Sequence, residues 1–325
     1  PQEFQNLTGF APQQIDVFTG GPPCQPFSQA ATQRFLKGDN RFKRKGFDNF
    51  EKGTLLFDYI EYIKFFLPKV FLLENVPGLL TMDNGVQLKA ALTELRALGY
   101  RHTKPEVLKA VDYGVPQHRN RLIVWGVLST EVSPKLPMPT HGGGLFLRDY
   151  NTVAQALYNL DNTALNHEPR EHKESSVARY RGLDFGMREQ KGRVDRLHPL
   201  KPSKTVIAGG MHGGGRSHLH PYIARTMTVR ECARLQTFPD NYRFLGSMSR
   251  QFTQVGNAVP PLLAEHFARE IGTVVFGLKY EEDFKCEQYL LTNKSTTELD
   301  SELLKKSIID KPDWVYKTHV EMDNL

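Results

Sequence analysis

Cysteine is scarce in this sequence: three in 325 residues, at 24, 232 and 286. So few, odd in number and far apart, they exclude a disulfide framework and a paired-thiol zinc site. They predict a reducing compartment, the cytoplasm of a bacterial cell. No apolar run approaches the roughly 18 residues that a membrane span needs. The opening PQEFQNLTGFAPQQ has neither the basic start nor the apolar middle of a secretory signal. It begins with proline rather than methionine, which predicts a natural start further upstream. Also missing are G-x-S-x-G, H-E-x-x-H and paired C-x-x-C, which removes serine hydrolase, zinc peptidase and zinc-ribbon readings. HGGG (141–144) and GGMHGGGRSH (209–218) look like phosphate cradles. Neither leads from a strand into a helix with a Lys-Ser/Thr, so both read as flexible loops. No metal site is expected.

What is present is a basic body with an acidic end. The net charge is +6, yet residues 281–325 carry 11 acidic and 6 basic side chains, leaving +11 on residues 1–280. A basic body suits a polyanion such as nucleic acid, and equally a solubilising surface. IDVFT (15–19), ended by glycines, reads as a buried strand. Residues 30–53 are polar, basic and glycine-punctuated, and read as a long loop. Thr54 caps an expected helix over 55–67, with Leu56, Tyr59, Ile60, Ile63 and Phe66 on one stripe. KVFLLE, then a helix over about 84–98, then YRHTKPEVLKA and RLIVWGVL as two strands, continue the alternation. This predicts a parallel α/β sheet with ligands at its carboxyl edge. From about residue 130 the periodicity fades. It returns at TVRECARLQTF, where Thr228 and Glu231 form a capping box, and at a helix over 262–276.

Two short stretches suggest chemistry. GGPPCQPFSQ (20–29) follows the first strand and sets Cys24 in a rigid Pro-Pro turn. It is either a buried free thiol or a nucleophile aimed at a substrate. Glu74, in ENV (74–76), closes a strand expected beside IDVFT, so both side chains should emerge at one sheet edge. A carboxyl group walled there by apolar residues would have a raised pKa and donate a proton near neutral pH. Thiol plus carboxylic acid suits addition to an electron-poor ring, although a buried Cys and a strand-end Glu without a role fit these stretches equally. In QHRNR (117–121), Arg119 and Arg121 share one face as a strand begins. Two guanidiniums there suit a phosphate, a carboxylate or a base oxygen.

GGPPCQPFS, ENVPGLL, YGVPQHRNRLIVWGV, TVRECARLQTFPDNYRF and QVGNAVPPLLA follow one another in this chain. In order and spacing they resemble the motifs of the cytosine-5 DNA methyltransferases. The likeness runs from about residue 15 to 277 with a variable stretch over about 130–195. It implies a Rossmann-like α/β core for S-adenosyl-L-methionine plus a small, irregular target recognition domain. The implied domains are a partial catalytic core at 1–129, target recognition at 130–225, a return to the core at 226–277 and an acidic extension at 278–325. The resemblance implies that Cys24 attacks C6 of a flipped cytosine, that Glu74 contacts N3 and the exocyclic amine, and that Arg121 with Arg119 orients the ring. It implies cofactor contacts at Pro23, Leu55, Asn257 and Val259, and a bracing role for Asn75. Gln25 and Ser28 would lie near the space the flipped base leaves, while Arg41, Lys43, Arg44 and Lys45 pair with phosphates. Thr205 lies in KTV (204–206), which resembles the landmark of the recognition region. His198, His212 and His218 are expected to meet solvent or the DNA backbone.

One part of the pattern is missing from the sequence. The family's strand and F-x-G-x-G-G turn, which receive the methionine part of the cofactor, are not found, nor is a displaced copy downstream. The expectation is an incomplete N-terminal core, with that part outside this sequence or on a second polypeptide. Besides a restriction-modification DNA methyltransferase, two readings stay open: a tRNA cytosine-5 methyltransferase on the same fold, and a DNA-binding subunit inactive without a cofactor-binding partner.

Overall fold

The computed structural model describes residues 1–22, 55–189, 194–208, 218–288, 290, 298–299 and 301–302. Pro23, Cys24, Gln25, Ser28, Arg41, Lys43, Arg44, Lys45, Thr54 and His212 lie outside the described residues. The chain divides into two units. The first takes residues 1–109, 120–138 and 267–280; the second takes 110–119, 139–266 and 281–325.

The first unit is built on one sheet. After α1 (Gln2–Thr8) come β1 (Val17–Gly20), α2 (Leu55–Phe66), β2 (Val70–Asn75), α3 (Val86–Ala97), β3 (Arg101–His102), β4 (Glu106–Lys109) and β5 (Asn120–Val127). The strand order is β1-β2-β5, with β3 and β4 both on the far side of β5. Helix α2 buries Leu56, Tyr59, Ile60, Ile63 and Phe66, the stripe expected from the sequence. Each such side chain contributes roughly 1.5–3 kcal/mol on leaving water. They join Phe71, Leu73, Leu122 and Val124 of the sheet and Leu88, Ala91, Leu92 and Leu95 of α3 in one core.

Two expectations change. The sheet is mixed rather than parallel: only β1 and β2 run parallel, and β5 is antiparallel to β2, β3 and β4. The connection from β4 to β5 spans residues 110–119, too short for the crossover that a parallel neighbour needs. YRHTKPEVLKA is two strands, not one, broken over 103–105 where Pro105 has no N–H for the ladder. Strand β1 is also less buried than its apolar run suggests. Among the described residues it pairs only with β2, and Val17 is 39% exposed.

The second unit holds α4 (Val153–Leu157), α5 (Glu174–Arg181), β6 (Asp195–Arg196), β7 (His218–Leu219), α6 (Val229–Leu235) and α7 (Met248–Asn257). Its core gathers Val153 and Leu157 of α4, Cys232, Ala233 and Leu235 of α6, and Phe252 and Val255 of α7. Thr228 and Glu231 make the expected capping box on α6, and Arg225 holds the Glu231 carboxylate through two nitrogens at 2.9 and 2.7 Å. Helix α8 (Pro261–Phe276) begins in this unit and ends in the first.

The start of the acidic extension is packed rather than loose. Lys285 N and Cys286 N each donate to the Glu265 carboxylate at 2.9 Å, and Phe284 covers His266 with ring centroids 4.1 Å apart. Buried Glu287 faces His141 Nε2 at 3.3 Å, Arg148 Nη2 at 3.1 Å and Asn151 Nδ2 at 3.3 Å. Leu290 and Leu299 belong to the core of the unit.

Candidate active site

The carboxyl ends of β1 and β2 lie at the same sheet edge, because their parallel register sets Gly20 against Leu73. Glu74, one residue further, therefore projects where the chain leaves β1. A Cβ on Gly21 would stand 2.7 Å from Glu74 Oε2, so this turn passes close over the carboxylate. Next to it, buried Asn75 donates from Nδ2 to the Pro22 carbonyl at 3.1 Å, and its own Oδ1 accepts from Val76 N at 2.8 Å. The brace expected of Asn75 is thus present, two residues before Cys24. Tyr59 of α2 adds a second clamp that the sequence did not announce. Its hydroxyl donates to the carbonyls of Phe18 and Leu72 at 3.2 and 3.0 Å, joining the two parallel strands. Burial pushes its phenol pKa up, so it stays a neutral donor.

Arg121 reaches Glu74 from the antiparallel neighbour. Glu74 pairs with Ile123 across β2 and β5, and Arg121 lies two residues back on the same face of β5, a diagonal position within reach of a long side chain. Its Nε is 2.6 Å from Glu74 Oε1, with the side chains 11% and 15% exposed. Its Nη1 donates to the Asn120 carbonyl at 2.8 Å. Burial lowers the Arg121 pKa, and the Glu74 charge opposes that fall, so the guanidinium stays charged. The wall around Glu74 is therefore not simply apolar, as the sequence suggested; a cation is part of it.

Arg119 has different partners. Its guanidinium is 1% exposed and donates to the carbonyls of Val206, Gly256 and Ala258 at 3.0, 2.8 and 2.7 Å. Thr205 is partly buried, and its hydroxyl donates to the His118 carbonyl at 2.5 Å. His218 is buried with Nε2 within 3.1–3.2 Å of the Lys204 and Thr205 carbonyls, and burial lowers its pKa. The solvent or DNA contact expected of it is not what this burial shows.

Of the candidate cofactor residues, Leu55 is partly buried at the first position of α2, Asn257 is exposed at the end of α7, and Val259 is partly buried just beyond. Within the second unit, the exposed Asn257 amide beside the partly buried Val259 fits the chemistry of an adenosyl group, which offers flat apolar faces and hydrogen-bonding edges. No group of three or more His, Cys, Asp or Glu among the described residues has metal-binding spacing. No helix among them is long and apolar enough to cross a membrane.

Known proteins identify the family. Residues 3–273 match the model of the C-5 cytosine-specific DNA methylases. The chain is 34% identical over 283 residues to the type II methyltransferase M.NgoFVII of Neisseria gonorrhoeae, covering 82% of this chain and 71% of that one. It is 33% identical over 268 residues to the type II methyltransferase M.BbvI of Brevibacillus brevis, covering 76% and 67%. With M.PspPI of Psychrobacter it shares 34% identity over 81% of this chain and 64% of that relative. Among solved structures, a prophage-encoded DNA modification methyltransferase from E. coli superposes with a TM-score of 0.64 at 24% identity, covering 85% of this chain and 83% of that one, a likeness of fold. Motifs, fold and relatives agree: the chain belongs to the C-5 cytosine-specific DNA methylase family, whose methyl donor is S-adenosyl-L-methionine.

Proposed function

We propose that the edge formed by the ends of β1 and β2 is the reaction centre for methylation of cytosine in duplex DNA, with Cys24, Glu74 and Arg121 as the catalytic residues. One observation carries the assignment: Glu74 and Arg121 form a nearly buried pair at the edge where Asn75 ties down the Pro22 carbonyl. The target cytosine is turned out of the duplex, since its C6 and C5 are not reachable within the stack. The Cys24 thiolate then bonds to C6, and the electron pair of the C5–C6 bond moves to C5. Glu74 holds N3 and the exocyclic amine, and Arg121 fixes the Glu74 carboxylate and orients the ring. S-adenosyl-L-methionine, when bound, supplies an electrophilic methyl group. After C5 has been methylated, a base removes the C5 proton, and the returning electron pair breaks the S–C6 bond and releases Cys24.

Pro23, Leu55, Asn257 and Val259 are assigned to the cofactor. Gln25, Ser28, Arg41, Lys43, Arg44, Lys45 and Thr205 are assigned to DNA. Arg119 is assigned to neither, because three backbone carbonyls occupy its guanidinium.

The reading includes a glycine-rich cofactor turn supplied from outside this sequence, by an upstream stretch of the same protein or by a second polypeptide, and a cytoplasmic setting beside bacterial DNA. Among the described residues β1 is paired on one side only, which supports the former. A parallel strand added there would bring its own carboxyl-end turn to the same edge, where open α/β sheets bind ligands. The test is transfer of labelled methyl from S-adenosyl-L-methionine to mixed-sequence duplex DNA, with the part carrying that turn present. The expected product is 5-methylcytosine, and Glu74→Gln slows its formation about 10²–10⁴-fold. Label on tRNA instead of DNA, on an exocyclic amine instead of C5, or on nothing would contradict the proposal.

A further inference from the structure

Three residues before β5, buried Gln117, exposed His118 and buried Arg119, organise an assembly in the second unit. Chain 203–206 lies beside them as a short added strip. His118 N donates to the Ser203 carbonyl at 2.8 Å, and Ser203 N to the Pro116 carbonyl at 2.9 Å. Val206 N donates to Gln117 Oε1 at 2.9 Å, and the Thr205 hydroxyl holds the His118 carbonyl. Gln117 Nε2 bonds the Leu235 carbonyl at 3.1 Å and Gln236 Oε1 at 3.2 Å; Gln236 Nε2 continues to the Val255 carbonyl at 2.7 Å.

Arg119 closes this assembly. Its carbonyl partners are Val206 on the strip and Gly256 and Ala258, the two residues that flank Asn257. Gly256 presses on the same strip: a Cβ there would stand 2.2 Å from Ala208 N and 2.5 Å from the Ile207 carbonyl carbon. A guanidinium is a rigid planar fork, so it cannot follow one set of carbonyls and release the other at no cost.

We propose that Arg119 is a positioning residue that couples engagement of DNA at the 203–208 strip to the placement of Asn257 and Val259. The proposal rests on the assignment of Thr205 to DNA and of Asn257 and Val259 to the cofactor. Coupling of this kind is reciprocal, so ordering of the 256–259 segment favours DNA binding as much as DNA favours that ordering.

The test is backbone hydrogen exchange of the protein with and without mixed-sequence duplex DNA, a readout independent of methyl transfer. In the wild-type protein, exchange in 203–208 and in 256–259 should slow together, each about fivefold or more. Arg119→Lys keeps the charge but lacks the fork. In that variant DNA should still slow 203–208 and leave 256–259 unchanged, a loss of coupling that general destabilisation does not produce. Slowing confined to 203–208 in the wild-type protein overturns the coupling and needs no variant to fold. So does a joint response that survives intact in Arg119→Lys. If neither segment of the wild-type protein responds, the assignment of the strip to DNA fails, and the proposal with it.

Discussion

At the scale of single residues, the Glu74–Arg121 pair and the Arg119 clamp show how one motif divides its work. Both arginines come from a Q-x-R-x-R, in which alternation along a strand would put them on one side. Strand register then gives Arg121 a carboxylate, whereas Arg119 precedes β5 and is bound by carbonyls from Val206, Gly256 and Ala258. The pairing of Glu74 with Arg121 was within reach of the sequence, because ENV and QHRNR both sit at strand ends. The partners of Arg119 lie about 90–140 residues away, one in the 203–206 strip and two at the end of α7, and no local rule reaches them. Arg119→Met leaves three carbonyls without their donor and is expected to cost about 3 kcal/mol or more of stability, measured by denaturant unfolding. Arg121→Met should instead leave the protein folded and slow methyl transfer at least about 10²-fold. A fully active Arg121→Met enzyme would contradict its placement at the reaction centre.

At the scale of elements, α2, β2, β5 and α6 were legible because each carries a wide apolar stripe, an uninterrupted apolar run or a capping box. Helix α7 was not. It buries only Phe252, Val255 and Gly256, too narrow a stripe to stand out among MSRQFTQVGN. The split between β3 and β4 was signalled by Pro105, which has no N–H for the ladder, although the run read as one strand. Thr228→Ala removes the side chain that accepts from Glu231 N and should cost about 1 kcal/mol in thermal unfolding. An unchanged melting curve would show that Arg225 alone sustains the end of α6. Gly256→Ala forces a Cβ into the Ala208 backbone and should cost about 1–3 kcal/mol, read in the same way.

At the scale of the whole molecule, buried histidines tie stability to pH. Burial lowers the pKa of His220 to about 3 and that of His266 to about 4, from an ordinary 6.5. Both are neutral when folded, while the unfolded chain takes up their protons as the pH drops below 6.5. Their contribution is therefore complete above that value and lost progressively on acidification towards 4, at about 1.4 kcal/mol per pH unit for each group. Glu231 adds to the same trend lower down. Its charge is stabilised by Arg225 against the cost of burial, its pKa is depressed, and its contribution fades as acid protonates it. Melting temperatures should fall steeply from pH 6.5 to 4, and His266→Asn should flatten part of that slope. The acidic extension is the other large-scale element that the sequence left unplaced. In the structure Phe284, Glu287, Leu290 and Leu299 are built into the second unit.

The central claim is that Cys24 is the nucleophile at the edge marked by Glu74 and Arg121. The most direct measurement is mass spectrometry of the protein after incubation with duplex DNA carrying a cytosine analogue that retains the thiol adduct. The account predicts one covalent adduct, located on Cys24, abolished by Cys24→Ala and formed more slowly by Glu74→Gln. An adduct on Cys232 or Cys286, or cytosine methylation by the Cys24→Ala protein, would contradict it.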